Sequence, residues 1–72
     1  MDKSTLPVEL QVIDFPDWVC WLAQDADGAW WGYEVEPLQH DNGWYENEIG
    51  RRIGLLTTLP CANWREQLIR VN

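Results

Sequence analysis

The sequence predicts an α+β fold: a three- to four-stranded antiparallel β-meander with a short C-terminal helix packed on one face. Three observations carry that expectation. Two β-prone runs flank an Asp-Gly turn, a further aromatic run follows them, and the C-terminal segment switches from strand-like to helix-like spacing.

Taken in order, Met1 to Thr5 reads as a frayed terminus. Pro7 to Val12 alternates apolar and polar residues, which suits a short edge strand closed by Pro16. Trp18 to Gln24 and Ala29 to Val35 form the two arms of a hairpin. Asp25-Ala26-Asp27-Gly28 turns between them, because Gly28 can take the positive φ of a tight turn. Pro37 ends the second arm and Leu38 to Gly43 reads as a polar loop. Trp44 to Ile49 is a third strand, Gly50 a bulge, and Gly54 to Thr58 a short fourth strand. Asn63 and Glu66 stand at capping-box spacing, and Trp64, Leu68 and Val71 fall on one helical face.

The 72 residues make a single domain spanning 1–72. A chain this short buries only about 60% of its unfolded surface, so it needs dense packing. Six Trp, two Tyr and one Phe supply it, and 46% hydrophobic content argues against disorder despite a net charge of −7. No run approaches the length of a membrane span and none resembles a secretory signal, so the expectation is a cytoplasmic protein. Cys20 and Cys61 fit neither a disulfide framework nor a zinc site and read as reduced thiols, with a single bridge between them left open.

Charge is uneven. Residues 1–50 hold eleven acids against Lys3, a net of −10, whereas residues 51–72 hold four arginines against Glu66, a net of +3. An acidic body disfavours direct contact with nucleic acid or anionic membranes and favours the basic surface of another protein. The bland alternative is that the charge only keeps a Trp-rich domain soluble.

Strand alternation assigns faces. It puts Trp31, Tyr33, Val35, Tyr45 and Ile49 toward a core under Trp64 and Leu68, joined by Trp18, Cys20 and Leu22. The reverse face then carries Trp21, Trp30 and Trp44 among Glu34, Glu36, Glu46 and Glu48, with Asp25 and Asp27 at the turn. Rigid aromatics ringed by carboxylates suit a partner-binding surface, with Trp30 or Trp44 as anchor. The competing account buries those tryptophans against one another and leaves the acids merely solvated.

No constellation points to catalysis, a cofactor or a metal. Asp25-Ala26-Asp27-Gly28 lacks the later ligands of a calcium loop, and His40 sits in the expected loop without fixed partners. The carboxylates have no pocket to split their pKa values, and four arginines without an aromatic-basic groove do not make a nucleic-acid site.

The run Asp17 to Pro37, with Ala23-Gln24-Asp25-Ala26-Asp27-Gly28 at its centre and Tyr33-Glu34 before Pro37, resembles small acidic Trp-rich proteins of tailed phages and prophages. Gly43-Trp44 and Asn63-Trp64-Arg65 extend the resemblance over residues 17–71. No activity comes with that family. The resemblance implies a phage-borne setting in a bacterial cytoplasm, where proteins this small often occupy host proteins and some imitate the charge of DNA.

The leading expectation is therefore a module that binds the basic surface of a host protein, one that handles nucleic acid or serves in defence. The alternatives are a homodimer or larger scaffold burying its tryptophans between copies, and a small-ligand or carbohydrate binder using them as a stacking platform.

Overall fold

The computed structural model describes residues 6–46 and 49–71. Its elements run α1 (Val8–Gln11), β1 (Trp21–Gln24), β2 (Ala29–Tyr33), β3 (Leu38–His40), β4 (Gly43–Tyr45), β5 (Arg52–Thr57), a 3₁₀ turn (Trp64–Glu66) and β6 (Leu68–Arg70). Antiparallel β-structure dominates, in a four-stranded sheet of order β5-β2-β1-β6 and a separate β3-β4 hairpin.

The β1-β2 hairpin is the centre. Gly28 has φ 95°, its N–H donates to the Asp25 carbonyl at 3.0 Å, and Asp25 N–H donates to Ala29 at 2.8 Å. A Cβ at Gly28 would collide with the Thr58 carbonyl, so both the backbone angle and the close approach require glycine. The Asp27 carboxylate accepts from Ala29 N–H at 3.0 Å and fixes the turn.

Three expectations change here. Pro7 to Val12 is not an edge strand but contains one helical turn. Pro7 opens the turn, which brings Leu6 and Leu10 inward one turn apart and leaves Val8 67% and Val12 81% exposed. The sheet is not a meander, because β5 takes the outer side of β2 while residues 38–45 pair with each other. The C-terminal segment is not an α-helix packed on the sheet. Asn63 makes no side-chain cap, the 3₁₀ turn stops at Gln67, and Leu68–Arg70 pairs with β1. Two helical turns are marginal alone, whereas the open side of β1 offered ladder hydrogen bonds.

The face assignment fails on two counts: both sides of the sheet are covered, and the ladder puts Leu22 on the Trp30 side and Trp21 on the Tyr33 side, the reverse of the expected grouping. On one side Leu22 and Trp30 pack with Leu6, Leu10, Val19 and Val71, with Ile53, Leu55, Leu56 and Ile69 around them. On the other, Tyr33 is 1% exposed beneath the β3-β4 hairpin. Trp30 is thus a core residue at 3% exposure, and the supposed core residues Ile49 and Tyr45 are exposed.

Candidate functional site

The nominated residues do not form one outward surface. Trp30 is interior, its indole N–H donating to Thr58 Oγ1 at 3.1 Å. Buried Gln24, opposite it in the ladder, donates to the same oxygen at 3.0 Å. Glu34 forms a two-point pair with Arg51, at 2.9 Å from Oε2 to Nη2 and 3.4 Å from Oε1 to Nε. The Arg51 hydrogen bond holds the Glu34 carboxyl below the ordinary carboxylate range. Glu36 is exposed, and Glu48 lies outside the described residues.

Asp25 has a structural task. Its Oδ1 accepts the Trp44 backbone N–H at 2.9 Å, while the Trp44 indole donates to the Gln24 carbonyl at 2.9 Å and the Ala26 N–H reaches the Asn42 carbonyl at 3.0 Å. A Cβ at Gly43 would strike the Asp25 carboxylate, so glycine there lets the β3-β4 hairpin dock. Trp44 then meets Trp64 edge-on, with centroids 6.5 Å apart and planes at 89°. The Tyr33 hydroxyl donates to the Trp44 carbonyl at 3.3 Å. Glu46 is half-buried, and its Oε2 is shielded from solvent with no hydrogen-bond partner.

Burial raises the Asp25 carboxyl pKa above 3.8 and nearby Asp27 adds to this, while the Trp44 N–H, Arg52 and Trp31 oppose it. A raised folded-state pKa means that ionising Asp25 costs stability as pH climbs above 3.8. Asp25→Asn, which keeps an acceptor for Trp44, is expected to gain stability relative to the parent chain as pH rises from about 3 to 7. Asp25→Ala strands the Trp44 N–H and is expected to cost about 1–3 kcal/mol at pH 7. Urea denaturation of all three chains at both pH values reads the difference.

The arginines form the pattern that sequence reasoning missed. Each of the four lies over a tryptophan ring: Arg51 over Trp18 at 4.7 Å, Arg52 over Trp31 at 5.3 Å, Arg65 over Trp64 at 4.5 Å and Arg70 over Trp21 at 5.5 Å. Guanidinium favours the negative face of an indole within about 6 Å. Arg65 and Trp64 are neighbours in sequence, and Arg70 and Trp21 are ladder partners once β6 is recognised as a strand. Glu9, Asp27, Glu36, Asp41 and Glu66 are exposed, and so are the four arginines.

Two of the surface hollows border Trp30 and Trp44. One of about 500 Å³ lies beside Gln24 and Trp30 and is lined further by Thr58, Leu59, Cys61 and Gln67. The other, of about 390 Å³, is bounded by His40, Gly43, Trp44 and Tyr45, where His40 meets Tyr45 edge-on at 5.6 Å. Cys20 and Cys61 are unbridged thiols. Among the described residues, no three His, Cys, Asp or Glu side chains are grouped to hold a metal ion, and no helix is long and apolar enough to cross a membrane. Comparison with protein-family models, curated proteins and solved structures finds no match for this chain.

Proposed function

We propose that the chain is an acidic binding module that docks on a basic protein surface, of the kind a nucleic-acid-handling protein presents, and regulates that protein by occupying it. The carrying observation is the asymmetry in how charge is used. Four exposed arginines lie over tryptophan faces, against seven exposed acids among the described residues: Glu9, Asp14, Asp17, Asp27, Glu36, Asp41 and Glu66. The exposed acids then dominate the field of a chain with net charge −7. Such a field speeds encounter with a cationic partner and repels phosphate backbones.

The support does not come from a row of four glutamates imitating phosphates, since Glu34 is tied to Arg51 and Trp30 is interior. It comes from the whole acidic surface. The phage-borne setting implied by the Asp17 to Pro37 resemblance favours a host protein as partner.

The test is affinity capture from bacterial lysate followed by kinetics on the purified partner. The expected partner is basic and is released by salt at about 0.5 M, where screening lengths fall to a few ångströms. Glu36→Lys with Asp41→Lys is expected to slow association about tenfold at low ionic strength, with the difference vanishing at high salt. A partner of neutral charge, or binding indifferent to salt and to both substitutions, would refute the reading.

A further inference from the structure

We infer that β5 is a self-pairing edge: two copies of this chain join β5 to β5 antiparallel about a two-fold axis and make one continuous eight-stranded sheet. The dimer rests on strand pairing and not on the docking to a basic protein proposed above.

β5 is the outermost strand beside β2 and the longest in the sheet, at six residues, and among the described residues no strand pairs with its other side. Sheet edges are commonly guarded by charge, proline or a covering segment. Beyond Arg52 at its start, β5 carries neither charge nor proline. Ile53, Leu55 and Leu56 pack against the core cluster yet remain half-buried, so the apolar layer stops unfinished at this edge.

The backbone is set for pairing. The Arg51 carbonyl accepts from Glu34 at 2.9 Å and Thr58 N–H donates to Gly28 at 3.0 Å, so both point inward. Alternation, with the bulge opposite Trp30 and Trp31, then turns the polar groups of Arg52, Gly54 and Thr57 outward. With the bulged Leu55-Leu56 counted as one ladder position, a two-fold axis at Gly54 sets Gly54 opposite its mate and Arg52 of each copy opposite Thr57 of the other.

Charge selects that arrangement and a second copy as its occupant. Arg52 opens one end of β5, with Arg51 beside it already held by Glu34. At the other end Thr57 pairs with Ala29, beside the acidic turn of Asp25 and Asp27. Antiparallel self-pairing brings the arginine end of each copy toward the acidic turn of its mate, twice by symmetry, whereas a parallel pair would stack arginine on arginine. The chain supplies both complementary halves itself.

Sedimentation equilibrium across about 5–200 µM is the experiment, because self-association follows mass action. The expected mass rises toward twice 8.5 kDa. Thr57→Lys, at an exposed site, sets lysine against Arg52 of the mate and is expected to weaken the dimer about tenfold or more. Arg52→Glu combined with Thr57→Lys restores opposite charges and is expected to recover it. Near-ultraviolet circular dichroism checks that each variant keeps its tryptophan packing. Amide exchange supplies a second readout on the unaltered chain, with the Gly54 and Thr57 amides slowing as concentration rises. A mass fixed at 8.5 kDa throughout, a dimer indifferent to Thr57→Lys, or exchange at those amides independent of concentration would overturn the inference.

Discussion

Trp30→Ala is expected to lose about 4 kcal/mol of stability, the range for emptying a large aromatic site in a packed core. At roughly 0.05–0.15 kcal/mol per residue the whole chain has only about 4–11 kcal/mol to lose. That leaves about 0–7 kcal/mol and raises the unfolded-to-folded ratio roughly a thousandfold. The loss has two parts. The indole belongs to the core cluster with Leu22, Leu10 and Val71 at 3% exposure, and its N–H shares the Thr58 hydroxyl with Gln24. Trp30→Phe separates them, keeping most of the bulk while removing the N–H, and is expected to cost about 1–2 kcal/mol. Urea denaturation followed by circular dichroism measures both. An exposed anchor would behave differently, with stability within about 0.5 kcal/mol of the parent chain and only partner binding lost. A result of that kind for Trp30→Ala would contradict its place in the core.

Why Trp30 read as an outward residue shows what local pattern can and cannot decide. The hairpin itself was legible: Asp27-Gly28 between β-prone runs has one economical geometry, and Gly28 adopts it with φ 95°. Parity also separated Trp30 from Trp31 and Tyr33 correctly, since ladder partners put Trp30 with Leu56 and Tyr33 with Arg52 on opposite sides. Parity cannot say which side is covered, and this sheet is covered on both. That depends on long-range docking by Leu6 and Leu10 from one direction and by the Trp44 hairpin from the other.

The C-terminal error has a similar origin. Trp64, Leu68 and Val71 satisfy a helical period, but Ile69 and Val71 equally satisfy a strand period, and the unfilled side of β1 favoured the latter. Once β6 is a strand, Arg70 becomes the ladder partner of Trp21. The Arg70–Trp21 contact was hidden because it needs that register. Of the nominated site, Asp25 and Asp27 proved to hold backbone N–H groups, a task that Asx residues in turns often take and that their sequence context already hinted at.

Alkaline titration is expected to weaken the fold through Tyr33. The phenol is 1% exposed and donates to the Trp44 carbonyl. Burial first, then the charges of Asp25 and Glu46, push its pKa from 10.0 up to about 12, with Arg52 opposing. The unfolded chain releases this proton near 10 while the folded chain holds it, so the contribution is fully present below 10 and is lost as pH rises through 12. At about 1.4 kcal/mol per pKa unit, about 2–3 kcal/mol disappears over that interval. Denaturation midpoints at pH 9 and pH 12, with phenolate absorbance followed in parallel, measure it. Tyr33→Phe should cost about 1 kcal/mol at neutral pH for the lost hydrogen bond, and its difference from the parent chain should shrink and then reverse above pH 10. A Tyr33 phenolate forming near pH 10 in the intact fold would refute the account. The hairpin is where the consequence falls: Tyr33 and Asp25 together hold residues 43–44 against the sheet, so ionising the phenol removes one of the clamps that keep Trp44 against Trp64.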